Sequence, residues 1–327
     1  MTTMKAIVQD RYGEAGEVLR LEEIDRPEVG DDEVLVRVRA AGVDRGLWHI
    51  MTGLPYPIRL AGYGFRAPRT RVRGRETAGV VEAVGSQVTR WRTGDEVFGI
   101  AEGCLAEYVS VGDGVLAPKP ANLTFEQAAA VPISALTALQ GVRDHGRVKS
   151  GQRVLVIGAS GGVGTFAVQI AKAFGAEVTG VCSTAKLDVV RSIGADHVVD
   201  YQVRDIDESS TRYDVILDTG GHRSLAQLRR ALAPRGTLVI VGSETSGRWL
   251  GGTDRQIRAL LLSPFIRQNL RTYVSSENAD DLAVLAELIE AGRVVPVVDR
   301  TFPLADAAAA VTYLSDGHAR GKTVVTV

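Results

Sequence analysis

A run of glycines between two apolar segments is the feature of this chain with the clearest chemistry. Residues 154–157 are Val-Leu-Val-Ile, and four glycines come after them: Gly158, Gly161, Gly162 and Gly164. This order predicts a buried strand, a tight turn and the beginning of a helix. Glycine lacks the Cβ atom that would keep a diphosphate away from the backbone, and a helix N-terminus offers free N–H groups to an anion. The sequence therefore predicts a site for the pyrophosphate of a dinucleotide.

Further contacts to the dinucleotide are expected from the same turn and from the carboxyl ends of neighbouring strands, where ligands of open parallel sheets bind. Ser160 and Val163 lie in the turn itself. Thr219 follows the predicted fourth strand of the sheet, and Gly242 and Ser243 follow the fifth. Backbone groups at these strand ends are predicted to hold the nicotinamide half of the cofactor.

The residues after the second strand of the sheet favour NADPH over NADH. Folds that bind NAD carry a carboxylate there to hold the ribose hydroxyls, whereas this chain has Cys182. The groups that a 2′-phosphate would meet are hydroxyls and a cation, supplied by Ser183, Thr184, Lys186 and Tyr201. An alternative stays open, in which Ser183 or Thr184 caps the next helix and Lys186 is solvated.

The composition of the 327-residue chain is that of an ordinary globular protein with room for two domains. Its formal net charge is −1, so bulk electrostatics give no case for nucleic acid or a membrane surface as a partner. Its 2 cysteines cannot form a disulfide framework or a zinc cluster. Residues 1–8 contain no apolar signal core, and no stretch reaches the length of a membrane span. We expect a cytoplasmic protein that acts on a small molecule.

The pattern of predicted secondary structure changes at about residue 120. Before this point, short strands alternate with glycine turns, which suggests a compact, β-barrel-like domain. From residue 121 onwards, helical and β-type runs alternate, which is typical of a parallel α/β sheet. The predicted fold class is therefore α/β, with a doubly wound parallel sheet and a second, β-rich domain. Residues 54–75 and 243–255 are predicted to be long loops, which are often functional in compact domains.

Six separated motifs resemble the medium-chain dehydrogenase/reductase superfamily. They stand at residues 30–36 (GDDEVLV), 74–81 (GRETAGVV), 94–99 (GDEVFG), 128–132 (AAAVP), 158–164 (GASGGVG) and 319–322 (ARGK). The zinc-independent quinone oxidoreductase branch is the most similar. The resemblance implies a GroES-like β-barrel domain at residues 1–120 and 277–327, which carries the substrate and catalytic groups, and a Rossmann dinucleotide-binding domain at residues 121–276. It also implies a homodimer, with the strand at residues 270–274 as a candidate pairing edge and a tetramer as the open alternative.

The resemblance also bears on metal binding. Zinc-containing relatives place a cysteine at the position of Asp44 and a histidine at the position of Arg75. Their third ligand falls near Ile133 or Ser134. An arginine stays protonated and cannot be a zinc ligand, and one remaining carboxylate does not make a site. We predict that the protein binds no metal.

The chemistry that is predicted follows from the missing zinc ligands. Zinc polarises a carbonyl as a Lewis acid, so the reduction of a plain ketone would lose its main electrostatic aid. Hydride transfer to a quinone or to the β-carbon of an enone needs less help, because the negative charge that develops is delocalised. We predict an NADPH-dependent, zinc-independent reductase of quinones or α,β-unsaturated carbonyls. Two alternatives stay open: a zinc-free alcohol or aldehyde dehydrogenase of the same superfamily, and an NADPH-binding structural or regulatory protein with little turnover.

Three residues are candidates for catalytic contacts: Asp44, Tyr56 and Tyr63. The related branch has an asparagine at the position of Asp44. The carboxylate of Asp44 is predicted either to accept from a nicotinamide ribose hydroxyl or to pair with Arg45 or Arg75. Tyr56 and Tyr63 lie in the long loop that is expected to cover the substrate, and simple packing of this loop is the alternative.

Two basic features complete the set of candidates. The resemblance places Lys322 where relatives carry a basic residue that can reach the cofactor pyrophosphate, and the same contact is predicted here. Arginines also recur within residues 66–75 without interleaved aromatic residues of the kind that stack on bases. We interpret this run as a solvated face of the loop rather than as a nucleic-acid surface.

Overall fold

The described strands form one parallel sheet, one largely antiparallel sheet and a separate antiparallel pair. The computed structural model describes residues 2–208, 210–242, 247–249 and 251–327. In chain order the strands are β1 (Thr3–Val8), β2 (Arg20–Asp25), β3 (Glu33–Val43), β4 (Glu76–Val84), β5 (Glu96–Ile100), β6 (Tyr108–Gly112), β7 (Leu116–Pro118), β8 (Arg153–Ile157), β9 (Glu177–Cys182), β10 (His197–Asp200), β11 (Tyr213–Asp218), β12 (Leu232–Ile240), β13 (Asn269–Thr272), β14 (Val298–Pro303) and β15 (Lys322–Thr326).

The helices are short to medium in length. In chain order they are α1 (Ala15–Val18), α2 (Arg45–Thr52), α3 (Phe125–Ala129), α4 (Pro132–Gln140), α5 (Gly162–Ala173), α6 (Leu187–Ser192), α7 (Leu225–Ala231), α8 (Thr253–Leu262), α9 (Ala279–Glu290) and α10 (Ala307–Ser315). Within the described ranges, none of these helices combines the length and the apolar character needed to cross a membrane.

The first compact unit is β-rich. It contains Met1–Ser134, Glu277–Glu290 and Pro296–Val327. Its main sheet has the order β14-β15-β3-β4-β5-β7, β6 also pairs with β3, and β1 pairs with β2. Successive side chains of a strand point to opposite faces. In β3, Val34, Val36 and Val38 are buried in the core, whereas Arg37 and Arg39 are exposed.

The second compact unit contains Ala135–Ser276 and Ala291–Val295. In the part of the unit that the structure describes, the parallel strands have the order β10-β9-β8-β11-β12-β13. The apolar run at residues 154–157 is buried on both faces of the sheet, as the sequence predicts for a central strand. The strand order reverses between β8 and β11, and ligands of such doubly wound sheets bind outside the carboxyl ends of the strands at this point.

The compact units divide the chain later than the predicted boundary at residue 121. The structure places residues 121–134 in the first unit, because α3 packs against β3 and β4. The backbone N–H of Ile133 also donates to the carboxylate of Glu76 at 2.9 Å. Apolar pattern and helix length say nothing about which of two domains a helix joins, so this boundary was not readable from the sequence.

Helices α2 and α8 begin in segments for which the sequence predicts no helix. Helix α2 begins after Asp44, whose carboxylate accepts from the N–H of Leu47, and it ends at Gly53 with φ of 63°. Both are ordinary helix signals, an acidic N-cap and a glycine in the left-handed region at the C-terminus. Helix α8 begins at Thr253, so its first residues overlap the predicted loop at residues 243–255, which is a partial correction of that prediction.

Candidate functional site

The glycine turn of the second unit is set by close backbone packing. Gly158 has φ of 79°, and a Cβ atom there would lie 2.6 Å from Oγ1 of Thr219. A Cβ atom at Gly164 would lie 2.0 Å from the carbonyl oxygen of Gly158, which is far inside any allowed contact. These two positions therefore require glycine for the fold itself. At Gly161 the nearest atom would be 3.4 Å away, so packing alone leaves room for a methyl group there.

The turn leads into the N-terminus of helix α5. Gly161 is the N-cap residue and provides no side chain to accept from the first turn. The first N–H groups of a helix have no acceptor within the helix, so those of Gly162, Val163 and Gly164 can point towards an anion. Ser160 is buried at 6% exposure, directly before this N-terminus. The residues of the turn thus fit a bound diphosphate.

The strand ends at the carboxyl edge of the sheet meet around the same turn. The hydroxyl of Thr219 donates to the carbonyl of Ile157 at 2.7 Å, which leaves backbone groups rather than this side chain for a ligand. The N–H of Gly242 lies 3.4 Å from the carbonyl of Asp218. Ser243, which is also predicted to contact the cofactor, lies outside the described residues.

The predicted adenosine end contains a carboxylate that the sequence analysis overlooked. Asp200 ends β10 and pairs in register with Cys182 at the end of β9. Its carboxylate lies 2.5 Å from the hydroxyl of Thr184, which donates to it. Burial raises the pKa of the Cys182 thiol to about 11, and the charge of Asp200 adds to this shift while that of Lys186 opposes it. An anionic and a cationic group therefore both stand close to the end of β9.

The other predicted residues of this end line the same strand ends. Ser183 is half-buried, and its carbonyl accepts from the N–H of Lys186 in a short helical turn, as expected if this segment starts the next helix. Tyr201 is 52% exposed, and its N–H donates to the carbonyl of Cys182 at 3.2 Å. The structure thus brings Ser183, Lys186 and Tyr201 to one edge of the sheet, and their contacts to a cofactor stay a prediction.

A buried ion pair stands in the first unit. Glu76 is fully buried and accepts from Nζ of Lys322, whose side chain is 2% exposed. The second oxygen of Glu76 accepts from the N–H groups of Ile133 and Ser134, at 2.9 and 3.4 Å. The predicted contact of Lys322 to a pyrophosphate stays a prediction, but in the structure its ammonium group is bound to Glu76. No sequence signal pointed to this pair, whose members are 246 positions apart.

Asp44 has a structural role in addition to the two that are predicted for it. Its Oδ1 accepts from the N–H of Leu47 at 2.6 Å and caps α2, whereas Oδ2 is buried without a partner among the described residues. Arg75 bonds to Glu277 instead. Burial lowers the pKa of Arg75, but the carboxylates of Glu277 and Asp44 more than offset this and raise it. The predicted attraction between Asp44 and Arg75 thus exists as a charge interaction without a hydrogen bond.

The residues at the positions that the resemblance assigns to zinc ligands do not fit a zinc ion. The guanidinium of Arg75 replaces a histidine, and the nearby Cys104 is fully buried, with its thiol bonded to the carbonyl of Glu76 at 3.2 Å. Burial raises the pKa of this thiol, which disfavours the thiolate that a metal requires. Across the ranges that the structure describes, no cluster of three histidine, cysteine or acidic side chains could hold a metal ion.

The loop with the two candidate tyrosines is held by the N-terminal segment. The hydroxyl of Tyr12 donates to the backbone carbonyl of Gly64 at 2.6 Å, and it lies 3.0 Å from the backbone carbonyl oxygen of Tyr63. The guanidinium of Arg59 stands over the rings of Tyr12 and Tyr56, at 4.3 and 5.0 Å. Tyr56 and Tyr63 are both half-buried. This degree of burial is compatible both with packing of the loop and with contact to a substrate, so it does not distinguish the two alternatives.

The interpretation of residues 66–75 as a solvated face is wrong in part. Arg73 is 2% exposed and donates to the hydroxyl of Thr70, because the chain turns inwards at this point to pair with the first strand. Arg71 remains at the surface, where it bonds to Asp10 and Glu22.

Glu76 is expected to make the stability of the protein depend on pH. Burial raises the pKa of its carboxyl from 4.5 to about 7, although Lys322 opposes the shift. A pKa that is raised in the folded state gives a stabilising contribution that is complete below the unfolded value and is lost as the pH rises through the folded one. A shift of this size corresponds to about 3 kcal/mol.

Denaturant unfolding between about pH 5 and pH 8 measures this contribution. The free energy of unfolding of the wild-type protein should fall over this range relative to that of Glu76→Gln/Lys322→Met, in which the carboxyl group is absent. Parallel pH profiles of the two proteins would show that Glu76 is ionised throughout.

Comparisons with known proteins agree with this arrangement. Two family models match, a GroES-like alcohol dehydrogenase domain at residues 30–121 and a zinc-binding dehydrogenase at residues 193–325. The mitochondrial NAD(P)H oxidoreductase RTN4IP1 of Mus musculus is 34% identical, over 100% of this chain and 90% of that protein. The chloroplastic NADPH-dependent alkenal/one oxidoreductase of Arabidopsis thaliana is 36% identical, over 98% and 79%. A solved quinone oxidoreductase from Coxiella burnetii has a TM-score of 0.85 and 29% identity, over 100% of both chains.

The fold and the site together define the class of the protein. It is a dehydrogenase/reductase with a β-rich unit and a second unit whose parallel sheet is of the kind that binds dinucleotides. The chain belongs to the medium-chain dehydrogenase/reductase superfamily. The comparisons thereby confirm the predicted family, the α/β fold class with its Rossmann and GroES-like parts, and the prediction of an oxidoreductase. They also support a nicotinamide cofactor.

Proposed function

We propose that the protein uses NADPH to reduce quinones or α,β-unsaturated carbonyls and needs no metal for this reaction. The observation that carries the proposal is the replacement of the zinc ligands. A family member with Asp44 and an ion-paired Arg75 at these positions cannot use a Lewis acid held there. The names of its relatives, which include an alkenal/one oxidoreductase and a quinone oxidoreductase, support this substrate class.

The role of the chain in this reaction is to bind the cofactor and the acceptor and to orient them. NADPH, when bound, supplies a hydride. The N-terminus of α5 and the glycine turn would hold its diphosphate, and the backbone at Thr219 and Gly242 would orient its nicotinamide half. A proton must reach the oxygen or α-carbon of the reduced acceptor. Tyr56 and Tyr63 are the candidate contacts to the acceptor, and water can supply that proton.

The oxidation of NADPH, followed by its absorbance, tests the proposal on a panel of ortho-quinones, para-quinones, enones and plain ketones, with and without a chelator. Turnover of quinones or enones that is insensitive to the chelator, with little turnover of ketones, is the expected result. Ketone reduction that the chelator abolishes would contradict it, and oxidation of alcohols by NADP would favour a zinc-free alcohol dehydrogenase. Tight binding of NADPH without any turnover would instead favour a structural or regulatory role.

The preference for NADPH depends, in this proposal, on the balance between Lys186 and Asp200. Replacement of Lys186 by methionine should raise the KM for NADPH by about tenfold or more, because a charge-assisted bond to the 2′-phosphate is lost. The KM for NADH should change little. Asp200→Asn should shift the preference in the opposite direction, since it removes a like charge. Equal effects of either variant on both cofactors would place the 2′-phosphate elsewhere.

We also propose a homodimer that forms at the edge of the parallel sheet. Strand β13 is the last strand at one side of this sheet. Phe265 and Val274, which flank it in the chain, are 85% and 95% exposed, so an apolar edge is available to a second copy. Light scattering of the purified protein measures the mass, and a monomer at all concentrations would refute the proposal.

The cytoplasmic location stays a prediction. The names of two relatives place those proteins in mitochondria and chloroplasts, so fractionation of cells is the test for this protein.

A further inference from the structure

Helix α8 carries a largely buried arginine that no motif of the sequence indicates. Arg255 bonds to Asp218 at 2.5 Å, and the two side chains are 11% and 0% exposed. Asp218 is the last residue of β11, one of the two strands at which the strand order of the sheet reverses. The pair therefore lies at the carboxyl edge of the sheet, where a ligand is expected.

The pair binds three backbone groups, which lie in the segments after β11 and after β12. Besides the carboxylate, the guanidinium of Arg255 donates to the carbonyl of Arg223 at 2.9 Å and to that of Gly242 at 3.1 Å. The second oxygen of Asp218 accepts from the N–H of Gly221 at 3.1 Å. The segments after β11 and after β12 are thus fixed to each other and to α8 by two side chains.

These segments in turn pack on the glycine turn. A Cβ atom at Gly158 would lie 2.6 Å from Oγ1 of Thr219 and 3.3 Å from the N atom of Gly220. A Cβ atom at Gly242 would lie 3.2 Å from the carbonyl oxygen of Thr219. A movement of Thr219, Gly220 or Gly242 would therefore change the space beside the turn.

Stabilisation of the fold does not by itself explain the ion pair of Asp218 and Arg255. Buried ion pairs seldom stabilise a fold more than apolar residues of the same volume would. A cation in the first turn of a helix, as at Arg255 in α8, also faces the positive end of the helix dipole. The Nε atom of Arg255 is buried and has no partner among the residues that the structure describes, which adds a desolvation cost. What the pair does provide is a fixed geometry for three backbone carbonyl or N–H groups.

We propose that Asp218 and Arg255 are positioning residues that hold the backbone at Thr219–Gly221 and Gly242 in the geometry needed to orient the nicotinamide half of the cofactor. This inference rests on the proposed function. It predicts that loss of the pair reduces hydride transfer and leaves the binding of the adenosine half largely unchanged.

The test uses two variants, because a single truncation would leave a buried charge and could unfold the protein. Arg255→Lys keeps the charge beside Asp218 but cannot reach both carbonyls with a planar fork. Asp218→Leu/Arg255→Met removes both charges at similar volume, which is often neutral for stability. The matched control is Lys172→Met, which breaks the exposed ion pair with Asp196 in the same unit.

Three quantities are measured for each variant: the thermal midpoint, the dissociation constants of NADPH and of 2′,5′-ADP and ADP, and kcat for the best acceptor of the panel. We expect kcat to fall by about tenfold or more in both Arg255 variants, with the binding of the adenosine-half probe within about threefold of wild type. Lys172→Met should leave all three quantities unchanged.

A kcat that stays at the wild-type value would overturn the inference, and so would a parallel loss of adenosine-half binding and thermal stability, which marks a structural role. If the wild-type protein neither binds nor oxidises NADPH, the proposed function fails and this inference fails with it. Normal turnover in the wild type together with normal kcat in the variants refutes the inference alone.

Discussion

Replacement of Lys322 by methionine is expected to lower the free energy of unfolding by about 3–5 kcal/mol at about pH 8, because the carboxylate of Glu76 then stays buried without its counter-charge. Both side chains of the pair are at most 2% exposed, so water cannot take over the role of the ammonium group. Natural proteins are stable by only about 5–15 kcal/mol, so a loss of this size is a large part of the total. Denaturant unfolding measures it directly.

The control for this prediction restores neutrality without changing the shape. In Glu76→Gln/Lys322→Met, the amide oxygen can still accept from the N–H groups of Ile133 and Ser134, and no charge is buried. Most of the lost stability should return. The penalty of Lys322→Met should also shrink at about pH 5, because burial raises the pKa of Glu76 to about 7 and the carboxyl is then protonated. A penalty that is equal at both pH values would mean that Lys322 acts through packing instead.

Replacement of Gly164 by alanine is expected to abolish dinucleotide binding and to destabilise the second unit. The added Cβ atom would lie 2.0 Å from the carbonyl oxygen of Gly158, and neither backbone segment can yield without opening the turn. Isothermal titration with NADPH and thermal unfolding should both report the loss. Alanine at Gly112, which meets no atom within 4 Å, is the control for a glycine in open space.

Gly161→Ala separates the requirement of the ligand from that of the fold. The methyl group would make only an ordinary 3.4 Å contact with the carbonyl oxygen of Gly158, so the thermal midpoint should stay close to that of wild type. Its position at the N-cap of α5 is where a diphosphate must approach, so NADPH affinity should fall by about tenfold or more, or about 1.4 kcal/mol. Unchanged affinity in this variant would place the cofactor away from the turn.

The second unit was predictable because its signals are local. A buried strand, a glycine turn and a helix follow one another within residues 154–173, and each is written in the type and spacing of consecutive residues. The parallel sheet follows from the alternation of such segments. The capping of α2 by Asp44 was also predictable, because an acidic N-cap residue precedes this helix and Gly53 follows it. The resemblance instead led to predictions of a cofactor contact or an ion pair for Asp44.

The polar pairs of the two units were not predictable for the opposite reason. Glu76 and Lys322 are 246 positions apart and meet because β4 and β15 both pair with β3. Asp218 and Arg255 are 37 positions apart and meet because helix α8 places Arg255 at the end of β11. A single sequence gives the residue types, but it does not give the tertiary packing that places two charged side chains next to each other in the interior. The carboxylate of Asp200 illustrates the same limit, because it reaches Thr184 only through the parallel pairing of β9 and β10.

Strand β15 is expected to delay the assembly of the sheet of the first unit during translation. It pairs with β14 on one side and with β3 on the other, so the sheet of the first unit stays incomplete until residues 322–326 have left the ribosome. Most of the second unit, residues 135–276, has emerged by then. Domains usually fold in the order of their synthesis, with the N-terminal one first. Here we expect the order to be reversed, with the nascent β-rich segment left waiting and exposing its edge strands to chaperones.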